Sequence, residues 1–172
     1  LPLTTHTGSG WLRGIRLLVP PFQRAHIRLR VVIDDEIAVD MPLADYFANS
    51  PVSILPTGSL FFGEDTTGGL YSWWPMPYSK SVSAELVADA GLLSPVAISG
   101  SRSLDPAPVP PHVGRFRAEL ADRCTSGGEI ELLNEHGAGK VVGFASRYHT
   151  NGVVDRGYLE GDERIALDGS VA

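Results

Sequence analysis

Cysteine is almost absent from this sequence of 172 residues, which contains a single one, Cys124. One thiol excludes an intramolecular disulfide and any metal site built from several cysteines, so the fold cannot depend on such cross-links. Cys124 has no general base beside it in the sequence. We therefore expect an inert thiol rather than a catalytic nucleophile.

The chain also lacks an excess of positive charge and any long apolar run. Its formal net charge is −6 and its isoelectric point is near 5.3, which argues against nucleic acid and anionic membranes as partners. No stretch is long and apolar enough for a transmembrane helix, and the first residues lack the basic-then-apolar pattern of a secretory leader. A leader can be removed after synthesis, so the expected soluble protein is either cytoplasmic or secreted.

Signatures of metal and phosphate binding are missing as well. The five histidines show no ligand-pair spacing, and none lies in a zinc motif. The glycine pairs have the character of turns, and Gly137-Ala138-Gly139-Lys140 lacks the rest of a phosphate-binding loop. We expect no catalytic metal and no cofactor.

Glycine and proline, by contrast, are abundant and evenly spread, with 19 and 13 copies. They interrupt every segment that would otherwise form a long helix and supply the turns that an all-β domain needs. With 43% hydrophobic and 20% charged residues, the composition is that of a globular protein. The sequence predicts one all-β domain over residues 1–172, with few short helical turns.

The clearest strand pattern lies between His26 and Ile33. Ile27, Leu29, Val31 and Ile33 share one face, and the arginines between them share the other. Residues 34–36 then form a turn, and residues 37–40 return as the second strand of a β-hairpin. Trp11–Val19 and Ser81–Val87 are predicted strands too, as are Glu129–Leu133 and Lys140–Tyr148.

Arginines are concentrated in the first thirty residues, without a lysine among them. Guanidinium groups suit contacts between subunits or hydrogen bonds to sugar hydroxyls, whereas the simpler interpretation, which we favour, is a solvated strand face. The arginines in question are Arg13, Arg16, Arg24, Arg28 and Arg30.

An aromatic stretch follows between residues 70 and 78. Period-two alternation places Tyr71 and Trp73 on one side and Trp74 on the other. Sugars present flat C–H faces that stack on such rings, and the indole N–H and phenol O–H groups add polar contacts. We expect one side to belong to the core and the other to bind substrate, and the sequence leaves open which is which.

Three carboxylates, Glu160, Asp162 and Glu163, lie at a glycine-flanked turn before a predicted strand that begins at Ile165 and leads into the Asp168-Gly169 turn. Loops held by a rigid sheet often carry catalytic groups, although a solvated acidic turn is the commoner explanation of such spacing. Upstream, Tyr148, His149 and Asn151 are candidates for substrate binding, because hydroxyl-rich ligands need several polar partners.

The order of several segments resembles glycoside hydrolase family 172, formerly domain of unknown function 2961. The segments are Gly10–Arg16, Val32–Glu36, Met41–Phe47, Trp74–Ser81, Gly139–Gly143, and Leu159–Glu163 with Asp168-Gly169. The resemblance implies jelly-roll β-sandwiches, assembly as a homo-oligomer such as a trimer or dimer of trimers, and hydrolysis of glycosides of the α-D-fructofuranoside or α-D-arabinofuranoside type. It also implies a strand at Arg115–Asp122, where local propensity favours a helical turn.

By the same resemblance, Glu160 is the nucleophile of a retaining glycosidase. Residue type and position, rather than the resemblance, make the following residues candidates for substrate binding: Trp73, Trp74, Tyr71, Tyr148, His149, Asn151, Asp162 and Glu163. The acid/base glutamate of the family lies in a Gly-Thr-Gly-Thr-Glu-Asp motif that follows the position of Glu160 and is absent from this sequence. We therefore expect a fragment of a larger enzyme that is inactive alone. The alternative is a non-catalytic carbohydrate-binding or capsid-like assembly module with the same jelly roll.

Overall fold

A computed structural model describes residues 1–49, 58–90, 98–123, 129–146 and 164–171. The chain divides into two compact units, residues 1–142 and residues 143–172. The expectation of a single domain over the whole chain stays a prediction.

The first unit is built almost entirely of strands. They are β1 (Pro2–Thr7), β2 (Gly10–Leu18), β3 (Ile27–Ile33), β4 (Glu36–Pro42), β5 (Phe62–Glu64), β6 (Gly69–Ser72), β7 (Met76–Tyr78), β8 (Ser81–Ala88) and β9 (Ser99–Asp105). A short 3-10 turn at Pro21–Gln23 follows β2, and a single helical turn, α1 (Leu43–Tyr46), follows β4.

These strands form two antiparallel sheets. The four-stranded sheet has the order β1-β8-β3-β4. In the five-stranded sheet, one edge of β2 pairs with β7 near its beginning and with β6 near its end, and the other edge pairs with β9. β5 pairs with the free edge of β6. β1 pairs with β8, β2 pairs with β7, and β8 also pairs with β3, as in the winding of a jelly roll. The all-β prediction is confirmed.

The inner faces of both sheets meet in one hydrophobic cluster, which makes the unit a β-sandwich. Burial alternates strictly along β3, as the sequence pattern predicts, because every second side chain points between the sheets. The helical turn α1 adds Leu43 and Tyr46 to the same core, and Phe47, which follows it, is buried there as well.

The β3–β4 hairpin turns at Asp34 and Asp35, whose φ angles of 52° and 72° are those of a tight primed turn. The buried Asp34 carboxylate accepts hydrogen bonds from the backbone N–H groups of Ser79, Lys80 and Ser81, at 2.7 to 3.1 Å. Burial alone would raise the pKa of Asp34, but these N–H groups hold it below its ordinary value. One side chain thus ties the hairpin turn to the turn that opens β8.

Arg24 is 2% exposed and joins four segments of the sandwich. Its guanidinium donates to Val19 O (3.0 Å), Asn49 Oδ1 (2.6 Å), Glu64 Oε1 (2.9 Å) and Gly68 O (3.1 Å). The Asn49 amide also donates to the other Glu64 oxygen, Oε2. This arginine therefore departs from the expected solvated face, because four of its five N–H donors are used inside the fold.

The segment Arg115–Asp122 forms neither the predicted strand nor a helix. It is held instead by side chains: Phe116 packs against the core, and Arg115 pairs with Glu36 of β4. Among the described residues, one backbone hydrogen bond joins this segment to a strand, from Ala118 N–H to Ala38 O (2.9 Å), and one bond does not make a ladder. The strand prediction is wrong here, since anchoring by side chains replaces sheet pairing.

The strands predicted at residues 129–133 and 140–148 are also wrong for the part that the structure describes. Residues 129–146 are exposed throughout and carry no strand. Their apolar residues fit a strand pattern, but a strand also needs a neighbour to complete its hydrogen bonds. Among the described residues they have no such neighbour.

The second unit contains a two-stranded hairpin, β10 (Ala166–Leu167) and β11 (Ser170–Val171). Asp168 and Gly169 form its turn with φ angles of 51° and 79°, so the predicted turn is confirmed. The strand begins at Ala166, one residue later than expected.

We predict that Asp34→Asn lowers the free energy of unfolding by about 2 kcal/mol at pH 7, because a neutral amide accepts the three N–H bonds less well. Asparagine tolerates the positive φ, so the turn itself is kept. The neighbouring Asp35→Asn is the control, with a change within about 0.5 kcal/mol. Urea unfolding followed by circular dichroism measures both.

The same pair of variants gives a pH dependence. A lowered pKa means that Asp34 stabilises the fold above its unfolded-state pKa of about 4, and that this stabilisation is lost as the pH falls through the folded-state value. The difference in the free energy of unfolding between wild type and Asp34→Asn should therefore become smaller below about pH 4. A gap that stays constant from pH 7 to pH 3 would contradict the role given to the carboxylate.

We also predict that Arg24→Met costs about 3–5 kcal/mol, because it leaves the Glu64 carboxylate without its cation. Combining it with Glu64→Met removes the unpaired charge, so the double variant should lose less than the sum of the single losses. Arg28→Met is the control at the half-buried Arg28–Asp40 ion pair, which is more exposed than Arg24, and should cost at most about 1 kcal/mol. Additive losses in urea unfolding would contradict the pairing.

Candidate functional site

The aromatic stretch includes most of β6, the whole of β7 and the residues that connect them, and both strands pair with β2. Ser72 ends β6 and points inward, where its Oγ lies 3.0 Å from the Tyr46 hydroxyl. Tyr71 and Trp73, on either side of Ser72, therefore point outward, and the predicted alternation is confirmed.

Tyr71 and Trp73 stack on each other on the outer face of the five-stranded sheet. Their ring centroids lie 6.0 Å apart with 23° between the planes, and Trp73 is 44% exposed. The Trp73 ring covers Gly14 of β2 so closely that a Cβ there would lie 2.3 Å from the ring. Only glycine at position 14 leaves room for this ring.

Trp74 points the other way and packs against the hydrophobic core. Its ring stacks on that of Phe61, with 4.5 Å between the ring centroids and 11° between the planes. The ring centroids of Phe62 and Phe116 each lie 6.2 Å from that of Trp74. The structure thus answers which side of the aromatic stretch is core. A sugar contact of Trp74 stays a prediction, and its visible role is packing.

Two ion pairs flank the outward rings. Arg16 of β2, directly opposite Tyr71, donates to Asp65 Oδ2 (2.8 Å) and Thr67 Oγ1 (2.7 Å). Arg13 donates through two nitrogens to Asp105 Oδ2 (2.9 and 3.1 Å), and its guanidinium lies 4.5 Å from the centroid of the Trp11 ring.

Both carboxylates of these pairs are held in the charged form. Hydrogen bonds from the Thr67 hydroxyl, the Gly69 N–H and Arg16 lower the pKa of Asp65 well below its ordinary range. The Ala107 N–H, followed by Arg13, lowers the pKa of Asp105. Neither aspartate was a sequence candidate; the Asp-x-Thr spacing of a side-chain turn at Asp65 was the available signal.

The remaining arginines of the first hairpin also have internal partners. Arg28 and Arg30 both donate to the Asp40 carboxylate (2.9 Å), which keeps the pKa of Asp40 low against the opposing effect of burial. They point to the outer face, as predicted. A role in contacts between subunits stays a prediction.

The predicted catalytic residue Glu160 and its neighbours Asp162 and Glu163 lie outside the described residues, as do Tyr148, His149, Asn151 and Cys124. Their roles stay predictions. In the described ranges, no three histidine, cysteine, aspartate or glutamate side chains converge on a position that could hold a metal ion. No helix in those ranges is long and apolar enough to cross a membrane.

The two packed sheets and the outward aromatic pair define the class of this protein as a β-sandwich domain with a surface aromatic site. Within that class, residues 2–93, more than half of the chain, match a family model described as GH172 domain-like. The chain therefore belongs to glycoside hydrolase family 172. No curated protein matches the chain.

The matched residues include β1 to β8 and the whole aromatic stretch, whereas β9 and Glu160 lie outside them. The predicted family is confirmed. Its relation to glycoside hydrolases is thus established from the part of the chain that carries Tyr71, Trp73 and Trp74.

We predict different consequences for the two tryptophans. Trp74→Ala should lower the free energy of unfolding by about 2 kcal/mol, because it removes a ring packed against the core. Trp73→Ala should cost less than about 1 kcal/mol, since that ring lies on the surface. Urea unfolding followed by far-ultraviolet circular dichroism compares them, and equal losses would contradict their assignment to opposite faces.

Proposed function

We propose that this protein is a glycosidase that acts on furanosides of the α-D-fructofuranoside or α-D-arabinofuranoside type by a retaining mechanism with two carboxyl groups. The observation that supports it is membership of glycoside hydrolase family 172 across eight strands of the sandwich. The finer claims about sugar and mechanism extend the resemblance of the segment around Glu160 to that family.

In this mechanism the Glu160 carboxylate attacks the anomeric carbon, and the glycosidic C–O bond breaks with its electron pair passing to the departing oxygen. A carboxylic acid on the opposite side gives its proton to that oxygen. The same group then removes a proton from water, which attacks the anomeric carbon and releases Glu160 as a carboxylate. Retention of configuration requires the two carboxyl groups to lie about 5 Å apart.

The other candidate residues bind the substrate in this proposal. Tyr71 and Trp73 offer outward-facing rings to the C–H face of a sugar. Tyr148, His149 and Asn151 supply hydrogen bonds to its hydroxyl groups, and Asp162 and Glu163 orient or charge the site beside Glu160. Trp74 contributes by fixing the end of β6.

The homo-oligomer belongs to the same proposal, as a trimer or a dimer of trimers. Arg28 and Arg30 are the surface arginines of the hairpin, each side chain 37% exposed. Because both already pair with Asp40, a subunit contact there would have to use the donors that remain on the guanidinium groups.

A second candidate function is a non-catalytic carbohydrate-binding or assembly module. The observation that favours it is the ring of Trp73, which is 44% exposed and stacked on Tyr71, because such a ring can hold a sugar face whether or not a carboxylate acts on that sugar. Both functions predict saccharide binding, and only the glycosidase predicts turnover.

The test uses the longest native reading frame that contains this chain, assayed on aryl α-D-arabinofuranoside and α-D-fructofuranosyl substrates. We expect turnover in the wild type and a loss of at least about a thousandfold in kcat for Glu160→Gln, with substrate binding retained. Glu131→Gln is the control, because it removes an equivalent charge from an exposed residue that has no role in the proposed site. Full turnover in Glu160→Gln would exclude Glu160 as nucleophile, and no turnover on any furanoside would favour the binding module.

A further inference from the structure

We propose that the outer face of the five-stranded sheet is a binding surface for a neutral saccharide chain, which lies along β2 across Trp73 and between two flanking ion pairs. The inference rests on the proposed sugar contact of Tyr71 and Trp73 and extends it from a single ring to a polymer. It does not depend on Glu160.

The two rings are fixed before any ligand arrives. The Trp73 backbone N–H donates to Phe61 O (2.6 Å), and the Tyr71 hydroxyl donates to Ser59 O (2.6 Å). The Trp73 ring also rests on Gly14, so its position is set by the backbone beneath it. Preorganised rings lose little conformational freedom on binding, which favours affinity for a flat ligand surface.

Glycine residues lie next to these rings, so no neighbouring side chain covers them at these positions. Gly14 lies beneath Trp73, and Gly63 is the residue directly opposite Tyr71 on β5. Neither residue has a side chain to cover the neighbouring ring. The result is an aromatic surface on which a ligand can lie flat.

The charges beside the rings favour a neutral ligand. Arg16 pairs with Asp65, and Arg13 pairs with Asp105, so the two cations and two anions cancel. A balanced surface neither attracts nor steers a charged partner. Guanidinium groups only donate hydrogen bonds and carboxylates only accept them, whereas a sugar hydroxyl does both and can use either member of each pair.

The spacing of these groups points to a chain rather than to a single sugar. Arg13 and Arg16 are three residues apart on β2, where the register shift between Leu12 and Gly14 makes their separation somewhat shorter than the roughly 10 Å of a regular strand. Gly14, with Trp73 over it, lies between them. A ligand that contacts both ion pairs and the ring between them must be longer than one sugar ring.

The test measures binding of the full reading frame, in the Glu160→Gln background, to three soluble probes: arabinan, inulin and cellohexaose. We expect at least one probe to bind, with affinity about tenfold weaker in Trp73→Ala. Phe22→Ala removes an aromatic side chain that is 70% exposed in the turn after β2 and is the matched control. Binding should change little between 50 and 500 mM salt, because the surface is neutral.

Three results would overturn the proposal. They are the absence of binding to all three probes, equal binding by wild type and Trp73→Ala, and a change in assembly mass in Trp73→Ala by sedimentation. The last would make this face a contact between copies of the chain. Binding is measured in the Glu160→Gln variant, so this test stays valid even if the kinetic assay contradicts the glycosidase proposal. The two failures can therefore be told apart.

Discussion

The buried guanidinium of Arg24 is the interaction on which the organisation of the sandwich depends. It joins the connection between β2 and β3, Asn49 in the segment that follows α1, the end of β5 and the turn before β6. The backbone carbonyl of the same residue accepts a hydrogen bond from Ala44 in α1. A buried cation is tolerated only when its donors are satisfied and its charge is balanced, and Glu64 and Asn49 meet both conditions together. Removing one member leaves the others buried with unmet hydrogen bonds.

The same constraint extends to the sheet face that carries the candidate site. Glu64, the partner of Arg24, is followed directly by Asp65, the partner of Arg16, so one turn serves both the interior and the surface. Asp65 also accepts hydrogen bonds from the N–H groups of Thr67 and Gly69, which shape that turn. The position of Arg16 beside Tyr71 is therefore linked to the buried cluster through two adjacent residues. This gives the aromatic surface a rigid support, as a binding site requires.

Membership of family 172 rests on the region that forms this sandwich, and it relates the chain to glycoside hydrolases. The outward aromatic pair and the acidic segment at Glu160 belong to different parts of the chain. A glycosidase needs both a surface that holds the sugar and carboxyl groups that act on its anomeric carbon. A fold alone supports either catalysis or binding, which is why turnover and saccharide affinity have to be measured separately.

The residue pattern alone predicts the all-β class, the β3–β4 hairpin and the turn at Asp168-Gly169, because period-two alternation and turn residues act locally. It also determined that Tyr71 and Trp73 share one side and Trp74 the other. That the Trp74 side is core follows from the packing of the two sheets, since alternation defines two faces without saying which one a second sheet covers. Burial of Arg24 and the absence of a ladder at Arg115–Asp122 were likewise tertiary outcomes, because each depends on partners distant in the chain, Glu64 in one case and β4 in the other.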